Sequence, residues 1–171
     1  MPHPSKVALL LAVCATMATP LAASASSDVK VNLTAHRVTT DARGKESLVS
    51  GDQAKPGEVI EYQARYRNDG TTGVRKLVAT LPVPAGLEYV ARTAAPSVVQ
   101  ASLDGKTFAP VPLTRKVRLA DGREVVREVP VSEYRVLRWT LDTLDGHETE
   151  IVRARMRVTP VNAAATNTSS R

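Results

Sequence analysis

Cysteine occurs once in 171 residues, at Cys14, and aromatic side chains are few: one Trp, one Phe and four Tyr. Cys14 lies in a leader-like stretch, so the chain beyond it can form neither a disulfide nor a thiol nucleophile, even in an oxidising compartment. Alternation assigns Tyr62, Tyr66, Tyr89 and Trp139 to an interior, which leaves only Phe108 and Tyr134 to build a sugar-binding platform. Histidine is equally sparse. Beyond the leader His36 and His147 remain, without the close spacing a zinc site uses. The nucleophile elbow Gly-x-Ser-x-Gly and both glycine-rich phosphate loops are missing, which removes the usual sequence support for hydrolase and nucleotide chemistry. The apolar run at residues 7–18 is about a dozen residues, against the roughly 20 needed to span a bilayer. No segment keeps a helical period over two turns.

That apolar run fits a different purpose. Residues 1–6 are weakly basic, and Ala23-Ser24-Ala25 supplies small residues where a signal peptidase cuts. Residues 1–25 therefore read as a signal peptide and the protein as exported, to the periplasm or outside the cell, with no transmembrane segment in the mature chain. Residues 26–160 are one domain's worth of chain, able to bury roughly two thirds of the surface they expose when unfolded. Residues 161–171 are small and polar and read as a disordered tail. Lys6 is the only charged side chain of the leader, so most of the net charge of +6 stays with the mature chain. Such a surplus favours encounter with anionic polymers or lipid head groups and says nothing about fold.

What the chain has in quantity is alternation with a period of two. Ile60, Tyr62, Ala64 and Tyr66 can face a core while Glu61, Gln63, Arg65 and Arg67 face water, the mark of a half-buried strand. Pro56-Gly57 opens that strand and Asn68-Asp69-Gly70 closes it. Further strands are expected at residues 28–38, 48–49, 74–81 and 87–91, with Pro82 and Pro84 ending the third. Asp104-Gly105 and Asp121-Gly122 predict hairpins that pair residues 98–103 with 106–111 and 117–119 with 124–129. Leu137, Trp139 and Leu141 point inward from one late strand, and Val152, Ala154, Met156 and Val158 from another. The polar stretch 142–150 between them predicts that the two pair as an antiparallel hairpin. Seven to nine short strands and no helix predict an all-β fold, an immunoglobulin-like antiparallel β-sandwich with Trp139 at its centre.

Several of these signals fall in a familiar order. Gly57-Glu58-x-Ile60-x-Tyr62, then Asn68-x-Gly70, then Leu81-Pro82 with Ala85-Gly86-Leu87-x-Tyr89-Val90, and finally Trp139-x-Leu141 with Leu144 and Gly146 precede a strand ending Arg157-Val158. Together they resemble the bacterial conserved-repeat domain, the domain of unknown function numbered eleven, over residues 54–160. The segment 102–108 is similar to one found in its single-copy members. The resemblance implies an immunoglobulin-like sandwich on exported or surface proteins, with no enzymatic activity attached to the fold. The chain departs from that pattern at Ala79, where members carry an aspartate, so any role of that carboxylate is lost.

The outward side of the last strand carries Arg153, Arg155 and Arg157, neighbours about 7 Å apart at a rise of ~3.3 Å per residue. Arg138 is expected on the adjacent strand, facing the same way. These four arginines are the candidate anion-docking residues, and two readings stand for them. Either Glu124, Glu128 or Glu133 neutralises the stripe, or it docks an anionic envelope polymer or an acidic partner. Asp142-x-x-Asp145-Gly146 suits either a calcium site or a plain turn. The turn carboxylates Asp104 and Asp121 offer no desolvated acid–base pair. The residues point to a non-catalytic exported module that meets a cell-envelope protein by surface contact, with no cofactor, resident metal or nucleic-acid partner. The alternative is a binder of anionic envelope polymer, and behind it an enzyme of unrecognised type.

Overall fold

Strand β3, Val59–Asn68, lies at the centre of the first sheet and has partners on both sides. β1 (Val29–Thr40) pairs with it antiparallel, Leu33 opposite Ala64, and β11 (Thr149–Val158) pairs on the other side, Val152 opposite Ala64. The computed structural model describes residues 28–51 and 53–160, so the expected signal peptide and the 161–171 tail lie outside the described residues. Around β3 the first sheet runs β2-β1-β3-β11-β5, with β2 at Glu46–Ser50 and β5 at Leu87–Tyr89. The second sheet runs β4-β10-β6-β7, from β4 (Val74–Pro82), β10 (Val136–Leu144), β6 (Gln100–Ser102) and β7 (Ala109–Pro110). β8 (Thr114–Arg118) and β9 (Glu124–Glu128) form a separate hairpin. Val131–Glu133 adds a single 3-10 turn. The chain is thus an all-β antiparallel sandwich, with nine strands in its two sheets and two in the hairpin among the described residues. No helix among them is long and apolar enough to cross a membrane.

The interior lies where the two sheets face each other. Leu137, Trp139 and Leu144 of one sheet and Val152, Ala154 and Met156 of the other are almost wholly buried. Trp139 sits in this cluster and donates its indole N–H to the Pro96 carbonyl at 2.7 Å, which satisfies the one polar atom that its burial would orphan. Tyr62, expected inside, is only half-buried at the margin of the cluster.

One expected pairing does not occur. β10 and β11 are not a hairpin: β10 pairs with β4 and β6, whereas β11 pairs with β3 and β5. Their apolar sides face each other across the interior, so the short connection between them crosses from one sheet to the other. The connection from β3 to β4 makes the same crossing at the same end, and Asn68 ties the two together. Its amide N–H groups reach the carbonyls of Thr72, Leu144 and Asp145 at 2.8, 3.1 and 3.1 Å, while its own oxygen accepts from the Gly70 N–H at 3.0 Å. Gly146 is required here because a Cβ would stand 2.5 Å from the Thr71 carbonyl oxygen.

The second sheet stops at β4, short of β1. Val31 and Leu33 lie on the same side of the first sheet as buried Tyr66 and Ala64, yet they are 57% and 51% exposed. The free edge of β4 is partly closed from below. The Thr80 N–H donates to the Tyr66 hydroxyl at 3.0 Å, and that hydroxyl donates to the Thr80 carbonyl at 3.3 Å. A tyrosine of one sheet thereby occupies backbone groups that an edge strand otherwise offers to another chain.

Candidate functional site

Alternation along β11 turns Arg153, Arg155 and Arg157 to the outer face of the first sheet, opposite Gln63, Glu61 and Val59 of β3. Arg155 and Glu61 are therefore cross-strand neighbours. The Arg155 Nε donates to Glu61 Oε2 at 3.1 Å, and its two terminal nitrogens reach Glu46 of β2 at 3.0 and 2.6 Å. Glu61 also accepts from Gln63 at 2.8 Å and lies 3.9 Å from Arg153. Closed over in this way, Glu61 is only 5% exposed, against the expectation that its parity faces water. The outer face of a sheet is not necessarily wet: long side chains on flanking strands can roof a carboxylate between them.

The charges respond to this packing. The hydrogen bond from Arg155 holds the Glu46 carboxyl below its ordinary range. In return Glu46, and after it Glu61, raise the Arg155 guanidinium against the opposing effect of burial. The expected neutralising residues are not the ones used. Glu133 binds Arg115 through both oxygens at 2.8 and 3.1 Å, and Glu124 and Glu128 belong to β9, which pairs only with β8.

Arg138 is not part of this face. It stands on β10 in the other sheet, donates twice to Gln100 at 3.1 and 2.8 Å, and lies with its guanidinium carbon 3.8 Å above the centre of the Phe108 ring. That stacking is a cation–π contact which also covers much of Phe108. The four arginines thus divide into three kinds. Arg155 is tied into the sheet, Arg138 is absorbed by Gln100 and Phe108, and Arg153 and Arg157 are the loosely held ones, Arg153 with a long contact to Glu61 and Arg157 with no carboxylate partner among the described residues. Among the described residues Arg157 donates only to the Gly57 carbonyl, at 3.4 Å, and the Arg153 side chain is 54% exposed.

A second feature escapes sequence reasoning altogether. Between the segment 89–99 and the base of the β8–β9 hairpin lies a cleft of about 620 Å³, within the range of small-molecule sites. Tyr89 and Tyr134 are stacked at its floor with ring centres 6.1 Å apart. Tyr134, which strand parity left as a candidate for exposure, is buried, and its hydroxyl accepts from the Leu113 N–H at 2.8 Å. Burial raises the Tyr89 phenol, although the peptide N–H groups of Ala94, Thr93 and Arg92 pull the other way. The walls come from residues some forty positions apart, so no spacing rule announces them. The one local signal is that Arg92 adopts φ 63°, a conformation most non-glycine residues avoid.

Asp142 is exposed on β10, and Asp145 lies in the crossing turn, where its N–H donates to Glu148 at 2.7 Å. Among the described residues no group of three or more His, Cys, Asp or Glu side chains is placed to hold a metal ion. Searches against family models, curated proteins and solved structures return no match to the chain.

Proposed function

We propose that this protein is an exported, non-catalytic module of immunoglobulin-like build that works by surface contact with a protein of the bacterial cell envelope. The observation that carries the reading is the uncovered strip of β1. Val31 and Leu33 stand on the core side of their sheet, where the opposing sheet ends too soon to cover them. Apolar side chains on a face of this kind are the sort a partner buries. Tyr66 blocks strand addition at Thr80, so contact is made through side chains on this ledge more than through the free backbone of β4. The two antiparallel sheets and the tryptophan between them support the immunoglobulin-like assignment.

The test is a photo-crosslinking residue at position 33 in cells that export the protein, compared with one at Asp142 on the exposed side of β10. A reproducible envelope-protein adduct at 33 that is absent at 142, and lost in Val31→Asp, supports the reading. Equal labelling from both positions overturns it. A second reading, an anionic-polymer binder, is favoured by the exposed and loosely held guanidinium groups of Arg153 and Arg157. It expects retention on phosphocellulose that falls with salt and disappears in the Arg153→Glu, Arg157→Glu double variant. Arg155 is left intact because its substitution would strand Glu61.

A further inference from the structure

The cleft beside the hairpin has the chemistry of a binding site for an amphiphile. Its lining is largely aliphatic, from Ala91, Ala94, Val99, Val111, Val129 and Val131. The two tyrosines stack on each other at the floor, each with one ring face turned to its neighbour. Its charged side chains are Arg92, from the segment 89–99, and Glu128, from β9. Among the described residues no carboxylate forms an ion pair with Arg92. Arg92 also borders the adjoining hollow with Arg153, Arg155 and Glu61, so the cleft opens toward a rim where guanidinium groups outnumber carboxylates. A carboxylate seated there meets a planar donor fork while its chain enters the apolar space.

We infer that this cleft binds an amphiphilic carboxylate, with its aliphatic chain between Val99 and Val129 and its head group on Arg92. Arg92 holds this place with a left-handed backbone, φ 63°. A carboxylate head is specified by the unpaired guanidinium, and the chain by the alanine and valine side chains that, with Pro112, make up most of the lining.

Isothermal titration calorimetry of the folded protein with dodecanoate below its micellar concentration tests this, with acetate and dodecyltrimethylammonium as the two comparison ligands. Saturable one-to-one binding of dodecanoate is expected, with acetate undetected and the ammonium amphiphile weaker. Arg92→Gln lowers dodecanoate affinity about tenfold, the loss of one charge-assisted contact. Ala91→Trp, at an exposed position that does not threaten the core, abolishes binding by filling the space. Absence of saturable dodecanoate binding overturns the proposal, as does equal affinity for the ammonium amphiphile, or an affinity that neither substitution changes.

Discussion

The two sheets and the stretch from residue 90 to residue 135 hold their shape by different means. In the sheets, long strands with unbroken alternation bury Leu137, Trp139, Val152 and Met156 completely or nearly so. In the other stretch, β6 and β7, which only extend the second sheet at its edge, have three and two residues, and the β8–β9 hairpin leaves Val126 66% exposed. What fixes the hairpin is its base. Leu113 and Val129 are buried there, the Val129 N–H donates to the Leu113 carbonyl at 2.8 Å, and Tyr134 takes the Leu113 N–H. Global stability therefore resides in the sheets, while the insert is a local structure pinned at a few points, and the cleft lies along the seam between them.

The largest test of that difference is a pair of truncations. Trp139→Ala removes the largest buried side chain and leaves the Pro96 carbonyl without its donor, and urea unfolding should show a loss of about 3–5 kcal/mol. Val126→Ser, in the insert, should stay within about 0.5 kcal/mol of the parent. Comparable losses would mean that the hairpin is part of the cooperative core.

A smaller effect separates the polar anchors. Asn68→Ala deprives the carbonyls of both crossing turns of their shared donor, and a loss of about 1–3 kcal/mol is expected in the same assay. Tyr134→Phe orphans one buried N–H at the foot of the hairpin and should cost about 1 kcal/mol. The two differ in reach. Hydrogen exchange should quicken throughout β3, β4, β10 and β11 in the Asn68 variant but only across β8 and β9 in the Tyr134 variant, because sub-global opening follows the contacts removed.

The same division governs how much could be read from the sequence. Period two located β3, β4, β10 and β11 and the parity of most of their apolar side chains, and the short strand expected at Leu48-Val49 falls within β2. It did not identify neighbours. Leu137 and Val152 carry the same inward signal whether their strands are adjacent or face each other across the core, so the expected hairpin became a crossing, and Arg138 moved to the opposite sheet. The choice was made by Asn68 and Gly146, whose contacts join turns 76 and 77 positions apart in the chain. Glu61 had the parity of a wet residue and became buried because Arg155 and Glu46 close over it, a contact spanning 109 positions. In the insert, Asp121-Gly122 correctly marked a tight hairpin. Asp104-Gly105 marked a wider turn, since the pairing resumes only at Ala101 and Ala109.

That wider turn supplies the finest test, because it is held by a carboxylate. Asp104 accepts from the N–H groups of Lys106 and Thr107, each at 2.8 Å, and from the Ser102 hydroxyl at 2.9 Å. These donors favour the ionised form and lower its pKa to about 2, the two backbone N–H groups being the main cause. In the unfolded chain an aspartate titrates near 3.9. A depressed folded value means that the contribution of Asp104 is complete above the unfolded value and is lost as pH falls from there through about 2. The carboxylate is solvent-accessible, so the effect is small and local. Amide exchange at Lys106 and Thr107, corrected for its intrinsic pH dependence, should lose protection between about pH 4 and pH 2. Over that interval the Trp139 indole should keep its protection. Asp104→Asn should remove the pH dependence at the turn. If the turn and the indole lose protection together in acid, the turn is not an independent unit, and the separation between insert and sheets fails at β6 and β7.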